Sequence, residues 1–529
     1  MRWLTLGLFL FSCGDASPGL DAGPTPDASV LDAAPDDAGS DAFVNRVDWE
    51  PCPWISDAGS GVNFDGWCAT VEMPLDWADP DGPTITIDLR RLDPVEEATA
   101  DLWMLNGGPG GSAATYERLS LPLRFHRIRV LLMDARGAGR STRLGCSAEA
   151  LDSPNGSAIG EEEWADCIAD LRTAWGDDLA HFDTTSAARD LIEVVRRTRQ
   201  EGVRQVVLGA SYGTYWVHRA VQLEPDAFDG VVLDSIVPPD DPDLSLIDQW
   251  HGEVMRDFLA LCDEDDFCAD RLGGDAVAAT EAMLESVGEG HCAEIFEGVE
   301  SEAQLLLRVA FGALISDGRA RAAIPATVAR VERCTPEDVA AVQHLLGVVF
   351  GLVTDDDEGP GLFSIVLAHH VTFSELWPDP PPSLEELQAI ADAALGHKNL
   401  GVNFRLRYDD WPRYEPGPFH DQWATTEVPM LMLNGTLDPQ TPIERARRVG
   451  AHFAGPHQTF VELPDVSHGV LSGSYTSSGE RCGEELLIQF VSDPEAALDT
   501  SCVDEIALRD FRLRAAFAQY LFDSDDLWD

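Results

Sequence analysis

Three side chains in this sequence have the types and the order needed for nucleophilic catalysis: Ser211, Asp438 and His468. A serine hydroxyl becomes a good nucleophile when a histidine accepts its proton and a carboxylate orients that histidine. Ser211 is the centre of a G-x-S-x-G pattern, Gly209 to Gly213, between a short apolar run and an amphipathic helical pattern. The pattern predicts a strand, a tight turn and a helix, with the hydroxyl exposed at the turn.

The candidate acid and base each follow a predicted strand. Asp438 comes after the apolar run Pro429 to Leu433, and His468 comes after the run Thr459 to Leu463. Parallel strands end at one edge of a sheet, so we expect both side chains to lie beside Ser211. His452 and His457 are poorer candidates, because the first falls late on a predicted helix and the second precedes a strand. Asp465 is too close to His468 in sequence to be its obvious partner.

A glycine-rich loop is predicted to complete the site. Asn106 to Gly111 follows an apolar strand and contains four glycines around one proline. Backbone amides in such a loop can stabilise the oxyanion of an acyl-transfer intermediate. We therefore assign the oxyanion hole to the amides of Gly108 and Tyr212, the latter directly after the nucleophile. Asp134 and Arg136 are predicted to brace the turns above the sheet.

The elements around these residues alternate between strand and helix. This alternation predicts an α/β fold with a mostly parallel central sheet and the site at its carboxyl edge. From residue 238 to residue 425 the alternation stops and helical patterns dominate, with an acidic run at Asp355 to Glu358. We interpret 238–425 as a mostly helical cap inserted between a first core part, 49–237, and a C-terminal core part, 426–529.

Composition excludes one class of partner. The chain has 529 residues and a formal net charge of −57. Such a surface would repel phosphates, so nucleic acid is excluded as a natural partner. Genome composition or a salty habitat would account for this charge, although a negative field would also attract a substrate that carries an ammonium group.

The N-terminus predicts export. Residues 1–13 combine one arginine with a short apolar stretch that ends at Cys13, in a setting that resembles a bacterial lipoprotein cleavage box. Cys13 would then be lipidated; the alternative is a plain signal peptide cut nearby. Residues 14–48 are rich in Asp, Ala, Pro, Gly and Ser and are predicted to be a disordered acidic linker. We expect the protein in the cell envelope, anchored by lipid to a bacterial membrane, or otherwise periplasmic or secreted.

Ten further cysteines form an even set, which in an exported chain indicates disulfides. Their spacing includes no C-x₂-C pair, so a zinc site is not indicated. Sequence alone leaves the connectivity open. Pairing each cysteine with its nearest neighbour would join Cys52 with Cys68, Cys146 with Cys167, Cys262 with Cys268, Cys292 with Cys334, and Cys482 with Cys502.

Five motifs together resemble the prolyl iminopeptidase and tripeptidyl aminopeptidase branch of the α/β-hydrolases. They are NGGPGG at 106–111, DARGAGRS at 134–141, GASYGT at 209–214, GTLDPQTP at 435–442 and SHG at 467–469. The C-terminal part, with Cys482 and Cys502, resembles the tripeptidyl aminopeptidase type. Asn106 and Ala135 stand where that branch often has histidine and glutamine.

The resemblance implies a serine hydrolase that cleaves short peptides from a free N-terminus, with acidic residues near the cap holding the α-amino group. Neither a cofactor nor a metal is required. An esterase or lactonase with the same three residues is the main alternative, because specificity resides in the cap. A surface binding protein without activity is a remote alternative, and an epoxide hydrolase or dehalogenase would need a carboxylate at position 211.

Overall fold

The computed structural model describes residues 47–54, 64–150, 153, 155, 158–351, 362–513 and 515–529. The predicted signal segment, Cys13, the linker up to residue 46 and the acidic run at 355–358 lie outside these ranges. Among the residues described, no helix combines the length and apolar character needed to cross a bilayer.

Within these ranges the strands form one sheet in the order β1-β2-β3-β5-β4-β6-β7-β8-β9. The pairs from β4 and β5 through to β8 and β9 are parallel, whereas β1, β2 and β3 pair antiparallel and β3 joins β5 antiparallel. The predicted, mostly parallel sheet is thereby confirmed. The strands are β1 Glu50–Pro53, β2 Asp65–Pro74, β3 Thr84–Leu92, β4 Ala100–Leu105, β5 Ile128–Met133, β6 Arg204–Ala210, β7 Gly230–Asp234, β8 Met430–Gly435 and β9 Gln458–Leu463.

Neighbouring side chains of a buried strand point to opposite faces of the sheet, so both faces must be covered. Helices cover them. In β4, Leu102 and Met104 belong to one apolar cluster, and Trp103 and Leu105 belong to another. The helices outside the insertion are α1 Tyr116–Leu119, α2 Trp164–Trp175, α3 Thr184–Thr198, α4 Tyr212–Leu223, α14 Ile443–His452, α15 Val470–Gly473, α16 Cys482–Ser492 and, near the C-terminus, α17 Ala515–Phe522.

Nine helices, among the residues described, lie between β7 and β8. They are α5 Ile247–Asp263, α6 Asp266–Leu272, α7 Ala276–Gly288, α8 Ala303–Ser316, α9 Ala323–Arg333, α10 Pro336–Gly351, α11 Ile365–Glu375, α12 Leu384–Ala393 and α13 Leu400–Tyr408. Residues of the first six form most of a second apolar cluster, whereas residues of α11 and α13 belong to the main cluster of the core. The N-terminal part of the insertion therefore packs mainly in the second cluster, and its C-terminal part packs on the core.

The last helix packs where sequence reasoning did not place it. We assigned 426–529 to the core, yet Ala518, Leu521 and Phe522 of α17 join the cluster of the insertion. Arg330 of α9 donates to the carbonyl oxygens of Asp526, at 2.8 Å, and Leu527, at 2.9 Å. The apolar face of α17 is short, and its partner lies more than 160 residues away in sequence, so no local pattern indicates the contact.

Five disulfides are present among the described residues, and they join the cysteines as nearest neighbours. The pairs are Cys52–Cys68, Cys146–Cys167, Cys262–Cys268, Cys292–Cys334 and Cys482–Cys502. Three of these pairs lie outside the insertion and two lie within it. Such a set is typical of proteins that fold in an oxidising compartment.

Buried histidines make the fold sensitive to acid. Burial lowers the pKa of His369 to about 3, and it likewise lowers the pKa of His218 and His251 to about 3. His369 is enclosed by aromatic rings, with centroids 4.5 Å away at Trp164 and 4.7 Å away at Phe404. At these three positions the unfolded chain therefore binds protons below pH 6.5 that the native state does not bind, and the contribution of the histidines to stability falls as the pH decreases.

We expect His369→Phe to reduce this acid sensitivity. Between pH 7.5 and pH 5, the wild type should lose about 2 kcal/mol more unfolding free energy than the variant, because one proton uptake is removed. Urea denaturation at both pH values measures the difference. The exposed His457, changed to Phe, should retain the pH dependence of the wild type. Parallel pH profiles for wild type and His369→Phe would contradict the expectation.

Candidate active site

Ser211 occupies the turn between β6 and α4 in a strained backbone conformation. Its φ is 56° and its ψ is −127°, a region that L-residues rarely adopt. A Cβ on Gly209 would lie 2.2 Å from the carbonyl oxygen of Gly213, and one on Gly213 would lie 2.7 Å from that of Leu105. Both glycines are thus required for the chain to make this turn. The predicted strand, turn and helix are confirmed.

The end of β7 connects the serine turn to the histidine loop. The amide of Ser211 donates to the backbone oxygen of Asp234 at 2.9 Å. The carboxylate of Asp234 accepts from the amides of Val470, at 2.8 Å, and Leu471, at 3.1 Å. Gly469 donates to the Ser235 hydroxyl at 2.8 Å. Asp234 therefore holds Ser211 and the segment that follows His468 to the same strand end.

Asp438 and His468 form a close pair. Nδ1 of His468 lies 3.0 Å from Oδ1 and 2.9 Å from Oδ2 of Asp438. The carboxylate is fully buried and also accepts from the Thr441 hydroxyl at 2.6 Å and the Thr441 amide at 2.9 Å. Burial alone would raise the pKa of Asp438, but His468 and Thr441 outweigh it and hold the pKa below its usual value.

A charged Asp438 fixes the tautomer of the imidazole. Nδ1 of His468 carries the proton that is shared with the carboxylate, which leaves Nε2 able to accept another. An imidazolium formed in this way would be stabilised by the same carboxylate. The pair can therefore act as a general base and afterwards as a general acid.

The glycine loop lies directly against the serine turn. A Cβ on Gly107 would be 2.6 Å from Cβ of Ser211 and 3.1 Å from the amide nitrogen of Tyr212. The amide of Gly107 is already used, because it donates to Oδ1 of Asn106 at 2.8 Å. The next amide along the loop that could face an oxyanion is that of Gly108. Gly108 has a φ of 116°. Gly107, which was not singled out from the sequence as Gly108 was, makes the close contact with Ser211.

Asn106 and Asp134 hold this loop in place. Nδ2 of Asn106 donates to the backbone oxygen of Ser112 at 2.8 Å. Oδ1 of Asp134 accepts from the Ser112 hydroxyl at 2.7 Å and from the amide of Ala113 at 2.8 Å. Arg136 forms an ion pair with the buried Asp190 at 2.7 Å. The predicted bracing roles of Asp134 and Arg136 are confirmed.

The helical insertion forms hydrogen bonds with the loops that carry Asp438 and His468. The Ser467 hydroxyl donates to the backbone oxygen of Ser316 at 2.9 Å, and Arg321 donates to the backbone oxygen of Asp465. Nζ of Lys398 donates to Oε1 of Gln440 at 3.3 Å. Sequence reasoning did not find Arg321 or this role of Lys398. Lys398 is the only lysine of the chain, and that rarity was a usable signal.

One group of possible metal ligands occurs among the described residues: Cys292, Glu294 and Cys334. The two cysteines are joined to each other in a disulfide, so their sulfurs cannot act as thiolate ligands. The group therefore does not fit a metal centre.

Comparisons with known families match both halves of the site. A family model described as alpha/beta hydrolase fold matches residues 102–271, which include Ser211. A second model, described as TAP-like protein, matches residues 403–502, which include Asp438 and His468.

Individual relatives agree with these models. The chain is 27% identical to the serine protease Hip1 of Mycobacterium tuberculosis over 259 residues, 44% of this chain and 48% of that protein. It is 29% identical to a tripeptidyl aminopeptidase of Streptomyces lividans over 219 residues, 36% of this chain and 38% of that protein. It is 30% identical to a proline iminopeptidase of Aeromonas sobria over 173 residues, 32% of this chain and 36% of that protein.

The matched segment spans about half, or less, of the length of each of these curated relatives. The sheet order, the strained serine turn and the two family models nevertheless agree with one another. On this evidence the chain has the α/β-hydrolase fold and is similar to the prolyl iminopeptidase and tripeptidyl aminopeptidase type.

Proposed function

We propose that this protein is an exported serine aminopeptidase that releases short peptides from substrates with a free N-terminus. The observation that carries the proposal is the buried Asp438 carboxylate, 2.9 Å from Nδ1 of His468, at the sheet edge where Ser211 occupies its strained turn. Residues of these types in this arrangement supply a base, an orienting acid and a nucleophile.

The proposed reaction proceeds through an acyl-enzyme. His468 Nε2 takes the proton of Ser211 as Oγ bonds to the peptide carbonyl carbon, and the carbonyl oxygen becomes an oxyanion. His468 then gives that proton to the leaving nitrogen, and the C–N bond breaks. Water, deprotonated by His468, attacks the acyl carbon, and the Ser211–acyl bond breaks to release the peptide acid and the free hydroxyl.

The amides of Gly108 and Tyr212 are the proposed oxyanion donors. Tyr212 is the first residue of α4, and the first amides of a helix have no partner within the helix. The partial positive charge at a helix N-terminus further favours an anion there. Each donor of this kind contributes about 10² to 10³-fold in kcat in serine hydrolases.

Two observations favour a peptide over an ester as the substrate. The relatives reported above are named as peptidases, and the net charge of −57 creates a field that favours a substrate with an ammonium group. An ion pair at about 4 Å contributes roughly 4 kcal/mol at an effective dielectric constant near 20, before desolvation. That energy is enough to distinguish a free N-terminus from a blocked one.

Export completes the proposal. The five disulfides among the described residues and the signal-like segment before Cys13 both favour a compartment outside the cytosol. We propose that lipid on Cys13 tethers the enzyme to a membrane, with the acidic linker as a spacer. Mass spectrometry of the mature N-terminus tests this, because a lipoprotein begins at a diacylated Cys13 and a secreted form begins elsewhere.

The substrate prediction is tested with matched pairs of anilides. We expect turnover of prolyl, alanyl and Ala-Ala-Pro anilides with free amines, and a decrease in kcat/KM of about 10²-fold or more when the amine is acetylated, since the ion pair is lost. Comparison of the single-residue and tripeptide substrates gives the length of the released fragment. A short-chain ester that is hydrolysed while every anilide is inert would replace the peptidase proposal with the esterase alternative.

A further inference from the structure

Helix α11 of the insertion begins on the glycine loop. Its cap residue Ser364 donates its amide to the backbone oxygen of Gly110 at 2.9 Å. The two chains are so close that a Cβ on Gly110 would lie 2.3 Å from the backbone oxygen of Ser364. The Ser364 hydroxyl donates to the backbone oxygen of Leu144 at 2.7 Å. The N-terminal end of α11 is thereby fixed to the loop that carries Gly108.

The same helix ends beside the nucleophile helix. Glu375, the last residue of α11, is 3% exposed. Its Oε1 accepts from the amide of Thr184 at 2.9 Å and from the Tyr414 hydroxyl at 2.6 Å. Its Oε2 lies 3.3 Å from the Tyr215 hydroxyl and 3.6 Å from Nη2 of Arg219.

This buried cluster reaches Tyr212. The Tyr212 hydroxyl lies 2.8 Å from Oγ1 of Thr184, the residue whose amide binds Glu375. Burial, followed by the charge of Glu375, raises the pKa of Tyr414 well above its usual value, so this hydroxyl remains a donor. Burial acts to lower the pKa of Arg219, but Glu375 and the tyrosines raise it overall, so Arg219 keeps its charge.

We propose that Glu375 is a positioning residue for the oxyanion hole, an inference that rests on the proposed function. Through Thr184 it fixes Tyr212, whose amide is one proposed donor, while the other end of α11 fixes the loop with the second donor, Gly108. One rigid helix of eleven buried residues thus sets the separation of the two donors. Oxyanion stabilisation depends on donor distances of about 2.7–3.1 Å, and a misplacement of about 1 Å can cost about 10²-fold in rate.

Glu375→Gln and Tyr212→Phe test the proposal. The first removes the charge that organises the cluster, and the second removes only the hydroxyl that contacts Thr184. In each variant we expect kcat to fall by roughly 10 to 100-fold with KM nearly constant, because donors used only in the transition state are misplaced. Affinity for a peptide boronic acid, which forms a tetrahedral adduct with the serine, should fall in parallel. Tyr212→Phe is also the safeguard if Glu375→Gln folds poorly.

The double variant and a remote control separate positioning from general stability. If Glu375 acts through Tyr212, kcat of the double variant should be close to kcat of the less active single variant. Asp101 offers a matched buried pair, since its carboxylate is 2.7 Å from Arg129 near the amino end of β4, away from the site. Asp101→Asn should lower the thermal midpoint and leave kcat and boronate affinity unchanged.

The proposal would be overturned if Glu375→Gln behaved like Asp101→Asn, with lower stability and unchanged kcat and boronate affinity. It would also be overturned if the two single variants were additive, since Glu375 would then act by another route. The proposed function fails by a different result, namely turnover that survives the removal of the Ser211 hydroxyl.

Discussion

Replacing Ser211 with alanine is expected to lower kcat by about a millionfold, the loss typical of a catalytic serine that works with a histidine and an aspartate. Alanine has the same Cβ as serine and so makes the same steric demand on the backbone at φ 56°, but it has no oxygen to attack the carbonyl. The measurement is kcat on the best free-amine anilide, with circular dichroism to show that the fold is retained. Labelling by a fluorophosphonate probe should disappear in the same variant.

Two companion variants make this result specific. Ser211→Gly should be equally inactive but more stable than Ser211→Ala by about 1 to 3 kcal/mol, since glycine relieves the strained conformation. Ser211→Ala combined with His468→Ala should be no slower than either single variant, because the three residues act as one unit. Residual activity within about tenfold of the wild type in Ser211→Ala would contradict the assignment of the nucleophile.

The sheet could be predicted because its strands carry strong local signals. The apolar runs at Ile128–Met133 and Thr459–Leu463 are followed at once by turn residues, and each is a strand in the structure. The G-x-S-x-G turn is similarly local, since its two glycines are needed within five residues of chain. Strand order was not predictable in this way: β5 lies between β3 and β4, a crossover decided by long-range packing.

In the candidate site, too, residues with local sequence signals could be predicted and residues defined by long-range contacts could not. Ser211, Asp438 and His468 were chosen because each follows a strand, and parallel strands bring such positions to one edge. Glu375 gave no such signal, because its partner Thr184 is 191 residues away in sequence. The attachment of α17 to the insertion was missed for the same reason. Contacts between distant segments depend on the relative placement of whole helices, which periodicity does not contain.

Asp438→Asn is expected to lower kcat by about 10⁴-fold while the protein remains folded. In place of Oδ1, the asparagine oxygen can still accept from the amides of Gln440 and Thr441, which bind the native carboxylate at 2.8 Å and 2.9 Å. In place of Oδ2, the NH₂ group can donate to the Thr441 hydroxyl, which donates to the native carboxylate. The same NH₂ group would then face Nδ1 of His468 and favour the tautomer with the proton on Nε2. That nitrogen could no longer take the proton of Ser211, and the charge that stabilises an imidazolium would also be lost.

The matched comparison is Asp465→Asn, in the loop that leads to His468. The Asp465 carboxylate binds Arg509 at 2.7 Å and not the imidazole, so its loss should reduce kcat far less than the change at Asp438. Steady-state kinetics of both variants on one anilide, normalised to folded protein, measures the contrast. A large loss of kcat in Asp465→Asn together with a small loss in Asp438→Asn would contradict the assignment of Asp438 as the orienting acid. The expected contrast follows from geometry, because the Asp438 carboxylate lies within hydrogen-bond distance of Nδ1 whereas the Asp465 carboxylate binds Arg509.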